Sequence, residues 1–269
     1  MLESYFFIPA NREDFLNKIP SISTDYFVID FEDSVPKSEW GKCIYNLKKY
    51  CDLGSQYVRP NLWHNGEFTT DQLEKLVEMG VDNVVLPKIN TVEQLERIVE
   101  LKKFKKLILL VETPDLLLAL PNVVSKYEAS LVAIGFGSQD FAMFTGMEQS
   151  VEYMNYARFQ INLVASKFGK KCIDTASMLI DDEDAFEKEC INAHRMGCSG
   201  KFIIHPRQLK VLKDAEYYSQ NEIEWAKKAL LQIGGRTYDE IKAYKINGMV
   251  FEKPHLVKLE KIKQYLESK

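Results

Sequence analysis

Eight short apolar runs, separated by amphipathic stretches, occupy the first three-quarters of this 269-residue chain. The runs are rich in β-branched and aromatic residues and nearly continuous in apolar character, which is typical of strands buried on both faces of a parallel sheet. Eight strand–helix units of similar length predict an α/β protein with a (β/α)8 TIM-barrel fold. The runs are Ser4–Pro9, Tyr26–Ile29, Tyr57–Arg59, Asn83–Leu86, Leu107–Val111, Leu131–Ile134, Lys171–Ile173 and Phe202–Ile204.

A doubly wound open sheet is the competing architecture. It does not require eight near-equal units, and no GxGxxG segment follows the first run. We therefore expect a barrel over residues 1–215 and a C-terminal helical extension over 216–269, which packs on the barrel or on a neighbouring subunit. The extension contains a helical pattern near Glu222–Ile233, an Asn247-Gly248 turn and a second helical pattern from about Pro254.

Composition narrows the class of protein. A hydrophobic content of 46% with 28% charged residues is ordinary for a folded, water-soluble chain. The net charge of −4, without a basic stripe, argues against a nucleic-acid partner. The most apolar run, Leu107–Val111, is too short to span a bilayer, so no membrane partner is expected. Five cysteines without a CxxC pair indicate reduced thiols and a cytoplasmic protein.

Polar side chains follow the runs at their carboxyl ends. In a barrel these ends meet at one rim, which is where barrel enzymes place their chemistry. Several acids together with an arginine and a lysine would repel one another unless a cation lay among them, so this pattern predicts a metal. The rim residues are Glu32, Asp33, Arg59, Asn61, Lys88, Glu112, Asp140, Asp174 and His205.

Glu112 and Asp140 are the predicted metal ligands. Glu112 directly follows a buried run, where an unpaired carboxylate is costly, although pairing with Lys88 or Arg59 is an alternative. Asp140 has an alternative role as the N-cap of a helix that begins near Phe141. Oxygen ligands without a histidine or cysteine cluster favour a hard ion, Mg2+ first and Mn2+ second.

Arg59 is the predicted centre of catalysis and substrate binding, because its planar fork suits a carboxylate or an enolate oxygen. Glu32 and Asp33 are expected to orient Arg59 and metal-bound waters. Lys88 and Asn61 are the other predicted substrate contacts. A Schiff-base role for Lys88, in a metal-free aldolase, is a weaker alternative because it leaves the acidic pair without a function.

Seven motifs, in order along nearly the whole chain, resemble the citrate lyase beta subunit family, within the HpcH/HpaI aldolase and citrate lyase superfamily of CoA-ester lyases. The motifs span residues 7–12, 29–35, 58–61, 85–88, 111–114, 137–141 and 200–208. They include Val58-Arg59-Pro60-Asn61, Val111-Glu112-Thr113-Pro114 and Gly137-Ser138-Gln139-Asp140-Phe141.

The resemblance implies a Mg2+-dependent barrel that assembles as a trimer or a hexamer. It would cleave a 3-hydroxyacyl thioester, such as citryl-, malyl- or citramalyl-CoA, to a 2-oxo acid and an acetyl thioester. The thioester is carried by CoA or by an acyl carrier. By the same resemblance, Glu112 and Asp140 bind Mg2+ and Arg59 contacts the oxygens of the substrate.

Two other reaction types use the same residues. One is condensation and hydrolysis, as in a malate synthase or a malyl-CoA thioesterase, and the other is an aldolase that acts on a free hydroxy acid. Relatives that make malate carry an aspartate ahead of a proline in the tail, where this chain has Glu252-Lys253-Pro254. Cleavage is therefore expected rather than condensation, because a glutamate at a different distance does not reproduce the position of that base.

Overall fold

The computed structural model describes residues 1–32, 35–101, 104–234, 236, 240, 243–246 and 248–268. The chain divides after Ala215 into two compact units, Leu2–Ala215 and Glu216–Lys269, and Met1 is grouped with the second. Asp33 and Asn247, which the sequence analysis singled out, lie outside the described residues.

The first unit is a closed barrel of eight parallel strands, in the spatial order β1-β2-β3-β6-β7-β8-β9-β10. This confirms the predicted fold class. The barrel strands are β1 (Glu3–Pro9), β2 (Tyr26–Asp30), β3 (Tyr57–Arg59), β6 (Asn83–Leu86), β7 (Lys106–Val111), β8 (Leu131–Phe136), β9 (Lys171–Asp174) and β10 (Gly200–Ile203). Between β3 and β6 lies a small antiparallel hairpin of β4 (Trp63–His64) and β5 (Glu67–Phe68), which the sequence analysis did not foresee.

The barrel interior is filled by side chains from alternate positions of the strands, as a packed core requires. This core consists of Tyr5, Val28, Tyr57, Val85, Ile108, Leu110, Ala133, Ile173 and Phe202. The last strand begins earlier than expected, at Gly200 rather than Phe202. A Cβ on Gly200 would lie 2.7 Å from a ring carbon of Tyr5, so close packing against β1 favours glycine there.

Helices follow the strands, and several begin with residues that favour the start of a helix. Thr113 caps α5 through a hydrogen bond from the backbone N–H of Leu116, and Pro114 occupies the first helical position. Thr91 and Gln94 form the predicted capping box at the start of α4. The helices of this unit are α1 (Glu13–Leu16), α2 (Trp40–Tyr50), α3 (Asp71–Glu78), α4 (Val92–Leu101), α5 (Pro114–Lys126), α6 (Ser138–Thr145), α7 (Val151–Lys167), α8 (Glu183–Met196) and α9 (Pro206–Asp214).

The second unit has its own small core. It contains α10 (Gln220–Ile233), a hairpin of β11 (Tyr244–Ile246) and β12 (Met249–Phe251), a 3-10 turn (Lys253–His255) and α11 (Leu256–Ser268). Trp225 of α10 lies 5.8 Å from the ring of Phe251, and Tyr265 of α11 lies 5.3 Å from that of Tyr218. Glu252 is the N-cap of the 3-10 turn, where its side chain accepts a hydrogen bond from the backbone N–H of His255 in a capping box.

None of the described helices is both long enough and apolar enough to cross a membrane. The five cysteines are free thiols, and all but Cys51 are buried. Cytoplasmic location stays a prediction.

Candidate active site

Arg59 and its partner Asp30 occupy the carboxyl ends of adjacent strands. Asp30 of β2 and Arg59 of β3 are register partners in the parallel pair, which brings their side chains together. The guanidinium donates to both carboxylate oxygens of Asp30, with Nε at 2.7 Å and Nη2 at 2.8 Å. This bidentate pair fixes the plane of the guanidinium. Asp30 was not among the residues predicted for the site, although its position at the end of a strand was a usable signal.

Glu32 is buried and lies between two cations. Its Oε2 is 2.9 Å from Nη1 of Arg59, and its Oε1 is 3.1 Å from Nζ of Lys88. Burial lowers the pKa of Arg59, but the charges of Asp30 and Glu32 outweigh it, and the net shift is upward. This geometry supports the predicted role of Glu32 in orienting Arg59.

Lys88 follows β6 with a left-handed backbone, at φ 50°. The indole N–H of Trp63, in the β4–β5 hairpin, donates to the carbonyl oxygen of Lys88 at 2.8 Å. The backbone N–H of Lys88 donates to Oε2 of Glu112 at 2.6 Å. Its amine reaches Asp140 as well as Glu32, with 3.5 Å between Nζ and Oδ1 of Asp140. Lys88 therefore links three of the acidic residues of the site.

Glu112 immediately follows β7 and is 1% exposed. Burial and the charge of Glu32 raise the pKa of Glu112 well above its usual value, while Arg59 acts in the opposite direction. Gly137 makes room for this side chain, because a Cβ at that position would lie 2.7 Å from Oε1 of Glu112. The sequence analysis placed Gly137 only within a motif and did not foresee this contact.

Asp140 lies in the first turn of α6, whose N-cap is Gly137. The helix begins at Ser138, earlier than the start near Phe141 that the alternative required, so the proposed N-cap role of Asp140 is wrong. Ser138 is held by Thr175 of the next strand end, with 2.7 Å between the two hydroxyl oxygens, and by Nε2 of Gln149 at 2.8 Å. These contacts fix the turn that carries Asp140.

A cavity of about 320 Å³ lies at this rim of the barrel. Arg59, Glu112 and Asp140 all line it, together with Asp30. Much of the remaining wall is hydrocarbon, and the apolar residues are Phe7, Pro9, Leu110, Phe136, Ala176, Met178, Phe202 and Ile204. The cavity is thus a mainly apolar chamber with its charges grouped, which is the usual form of a small-molecule site.

Four carboxylates and two cations make up the charged group, namely Asp30, Glu32, Glu112, Asp140, Arg59 and Lys88. Negative charge is in excess, and burial together with the charge of Glu32 raises the pKa of Glu112. Among the described residues no three His, Cys, Asp or Glu side chains form a group able to hold a metal. The donor set fits a hard cation held by two carboxylates, with water and substrate completing its shell, as Mg2+ prefers.

Other residues that the sequence places at the rim do not line the cavity or are not described. Asn61 is not among the described residues that line the cavity, and its Oδ1 accepts from the N–H of Trp63 at 2.9 Å, which makes a local turn. The role of Asp33 stays a prediction, since that residue is not described. His205 is the N-cap of α9, where its Nδ1 accepts from the N–H of Arg207.

Asp174, at the end of β9, belongs to a buried ionic cluster. It accepts from Nε of Arg158 at 2.8 Å and from Nζ of Lys201 at 2.9 Å. Burial raises the pKa of Asp174, but Lys201 and Arg158 lower it more, so the net pKa lies below the usual value. Lys201 also donates to the carbonyl oxygen of Thr175, which positions the loop beside Ser138.

Comparison of the sequence with known proteins identifies a family that the chain matches. The family model described as HpcH/HpaI aldolase/citrate lyase matches residues 3–206. The chain is 27% identical to a mitochondrial citramalyl-CoA lyase of Homo sapiens, over 83% of this chain and 73% of that protein. It is 25% identical to a (3S)-malyl-CoA thioesterase of Cereibacter sphaeroides, over 94% of this chain and 90% of that protein.

A solved structure shares the fold. CitE from Mycobacterium tuberculosis, in complex with magnesium, acetoacetate and coenzyme A, superposes with a TM-score of 0.81 at 23% identity. The match covers 98% of this chain and 97% of that one. The resemblance predicted from the sequence motifs is confirmed.

Proposed function

Because the chain belongs to the HpcH/HpaI aldolase/citrate lyase family, we propose that it is a Mg2+-dependent lyase acting on a 3-hydroxyacyl thioester. The products are a 2-oxo acid and an acetyl thioester. Its relatives include CoA-ester lyases, and this chain is an enzyme of the carbon–carbon lyase class. The observation that carries the proposal is the convergence of Glu112, Asp140 and Arg59 on one cavity.

Glu112 and Asp140 are the residues that would hold the metal. Both carboxylates line the cavity, and their mutual repulsion is part of what raises the pKa of Glu112. A bound Mg2+ supplies a Lewis acid for the oxygen of the 2-oxo fragment. The magnesium complex of CitE from Mycobacterium tuberculosis supports this choice of ion.

Arg59 is the proposed catalytic residue. In cleavage water takes up the proton of the 3-hydroxyl, whose oxygen becomes the carbonyl of the 2-oxo acid. The bond between C2 and C3 of the acyl chain breaks, and its electron pair passes to the thioester as an enolate. Arg59 stabilises the charge on that enolate oxygen, beside a mainly apolar wall. Protonation of the enolate then gives the acetyl thioester. Asp30 and Glu32 hold the guanidinium in place throughout.

Glu112→Gln and Asp140→Asn test the proposal. Each change removes one anionic ligand, so we expect Mg2+ affinity to fall at least tenfold and 2-oxo acid release from citramalyl-CoA or malyl-CoA to disappear. Titration calorimetry with MgCl2 and a coupled assay for 2-oxo acid measure the two effects. Circular dichroism should remain unchanged, because neither change removes packing atoms.

Glu96→Gln is the matched control. Glu96 is a surface carboxylate that pairs with Lys126 across α4 and α5, and its loss should leave both metal binding and activity intact. Full activity of the parent protein with EDTA present, or of both site variants, would contradict the proposal.

The Schiff-base alternative for Lys88 is disfavoured by its contacts. Its amine lies within hydrogen-bonding or ion-pairing distance of Glu32 and Asp140, a setting that favours the charged amine over a nucleophilic one. We propose that Lys88 keeps these carboxylates in place and does not itself contact the substrate.

A further inference from the structure

Trp63 is not among the described residues that line the cavity beside Arg59 and Glu112, but the backbone of Lys88 connects it to that site. The indole N–H of Trp63 donates to the carbonyl oxygen of Lys88 at 2.8 Å. The backbone N–H of the same lysine donates to Oε2 of Glu112 at 2.6 Å. One residue therefore accepts a hydrogen bond from the indole and donates one to the carboxylate.

The backbone of Lys88 has a conformation that needs support. Its φ of 50° lies in the left-handed region, which residues with a Cβ rarely adopt. Asn65, the other non-glycine residue with a positive φ in the described part of the chain, is of a type that tolerates this region, whereas lysine is not. A hydrogen bond to the carbonyl oxygen of Lys88 stabilises this conformation, and with it the direction of the N–H.

The orientation of the Glu112 carboxylate depends on that N–H. Within the residues that the structure describes, the N–H of Lys88 is the only hydrogen-bond donor to Glu112. Glu112 is 1% exposed, so contacts within the protein rather than bulk water set its direction. Groups that hydrogen-bond to a metal ligand fix its orientation and strengthen metal binding.

The β4–β5 hairpin holds the indole in place. Trp63 pairs with Phe68 across the two strands, and their rings are 5.9 Å apart in an edge-on arrangement. The backbone N–H of Trp63 donates to Oδ1 of Asn61 at 2.9 Å, and the N–H of Thr69 donates to the carbonyl oxygen of Leu62 at 2.9 Å. These contacts fix the segment from which the indole reaches Lys88.

We infer that Trp63 is a positioning residue for the proposed metal site, which acts through the backbone of Lys88 on the carboxylate of Glu112. The inference rests on the proposed function and adds to it a residue outside the cavity. The β4–β5 hairpin then contributes to Mg2+ affinity and is more than a connection between β3 and β6.

Trp63→Phe in the full-length protein tests the inference, because it removes the indole N–H and keeps an aromatic ring beside Phe68. Titration calorimetry with MgCl2 should show about tenfold weaker Mg2+ binding, as for the loss of a group that orients a metal ligand. Saturating Mg2+ should largely restore kcat, since Trp63 does not contact the reacting atoms. A kcat that stays low at saturating Mg2+ would overturn the inference, because the hairpin would then be needed for more than the orientation of Glu112.

Amide hydrogen exchange in the metal-free protein tests the connection without any metal. Trp63→Phe should speed exchange at the backbone N–H of Lys88, because its hydrogen bond to Glu112 opens more often. Unchanged exchange there, or an unchanged Mg2+ affinity, would overturn the inference and leave the proposed function standing. No Mg2+ binding by the parent protein would overturn the proposed function and the inference with it.

Trp40→Phe is the matched control. Nε1 of Trp40 is buried without a hydrogen-bond partner among the described residues, so the same change there removes an indole N–H that holds nothing. Mg2+ affinity and exchange at Lys88 should both stay at the values of the parent. Phe68→Leu separates the indole N–H from the packing of the hairpin, since it removes only the ring beside Trp63. A loss of Mg2+ affinity in Phe68→Leu as large as in Trp63→Phe would overturn the role of the indole N–H.

Discussion

At the scale of single residues, the site depends on how two strand ends lie side by side. Asp30 and Arg59 are register partners, and their bidentate pair sets the direction of the guanidinium before any ligand binds. Phe7 covers its face at 4.7 Å. Asp30 therefore binds the edge of the guanidinium and Phe7 packs on its face. A lysine cannot replace this arginine, because its amine is a point charge without a planar fork.

Arg59→Lys should therefore abolish most of the activity while the barrel stays folded. We expect a loss of about 2–4 kcal/mol in transition-state stabilisation, since one preorganised donor to a developing oxyanion contributes that much. The ratio of kcat/KM between parent and variant measures it. A kcat/KM close to that of the parent would show that Arg59 only neutralises Asp30 and Glu32.

Gly137→Ala should damage the metal site without contact between the new methyl group and the substrate. The added Cβ would lie 2.7 Å from Oε1 of Glu112, so that carboxylate would have to shift away from its place beside the backbone N–H of Lys88. We expect weaker Mg2+ binding, measured by calorimetry. Gly41→Ala is the control, since a Cβ there meets nothing within 4 Å. Unchanged Mg2+ affinity in Gly137→Ala would place the metal away from Glu112.

At the scale of elements, the first turns of two helices hold the side chains of Asp140 and Glu222 in place. The first turn of α6 carries Asp140 and is tied to the end of β9 through Ser138 and Thr175. In the C-terminal unit, Glu222 combines two functions at the start of α10. It completes a capping box with Ser219, and its other oxygen accepts from Lys258 of α11 at 2.7 Å.

Glu222→Gln should give a pH-dependent loss of stability in the C-terminal unit. Burial raises the pKa of Glu222, but Lys258 and Ser219 lower it more, to about 2. A carboxyl with a lowered folded pKa stabilises above its unfolded value near 4.5, and that stabilisation is lost as the pH falls toward 2. The Glu222 side chain is 28% exposed and Lys258 is more so, so solvent screens the pair, and we expect a cost of about 1 kcal/mol at pH 7 that vanishes near pH 2.

Amide hydrogen exchange in α10 and α11 measures this difference locally, without requiring the two units to unfold together. Glu224→Gln, an exposed change on the same helix, is the control. A difference between Glu222→Gln and the parent that is the same at pH 7 and pH 2 would contradict an electrostatic origin.

At the scale of the whole molecule, α7 carries apolar side chains on both of its faces. One face is buried in the barrel unit through Met154, Ala157 and Ile161. The other exposes large apolar groups at helical spacing, namely Tyr153, Tyr156, Phe159 and Leu163. An exposed apolar stripe of this kind is typical of a protein–protein contact.

We predict that the chain assembles as a trimer or a hexamer and that another copy covers this stripe. Light scattering should then give a multiple of the 31.1 kDa chain mass. Phe159→Glu with Leu163→Glu should shift the protein toward monomer, because a desolvated charge opposes burial of the stripe. Tyr45→Glu, at a 60% exposed position of α2, is the control. A monomeric parent protein, or an unchanged mass in the double variant, would contradict the prediction. The role of the C-terminal extension at a subunit interface stays a prediction.

The apolar runs and the polar residues that follow them were enough to predict the barrel and most of the charged residues at its rim. Short, continuous apolar runs are typical of strands covered on both faces, and the parallel strands of a barrel bring their carboxyl ends to one rim. That expectation placed Glu112, Asp140 and Arg59 near one another. The same argument placed Glu32 and Lys88 at that rim, and both lie there within ion-pairing distance of Arg59 or Asp140.

Which of those residues line the cavity depends on packing between segments that are distant in the chain. The side chain of Asn61 accepts a hydrogen bond from the N–H of Trp63 nearby in the chain. Asp30, which sequence reasoning passed over, accepts from Nε and Nη2 of Arg59. The start of α6 at Ser138, the space that Gly137 leaves for Glu112, and the aromatic wall of Phe7 and Phe202 were likewise absent from the pattern. These features depend on strand register and on side-chain direction across neighbouring strands, and both arise from contacts between residues far apart in the chain.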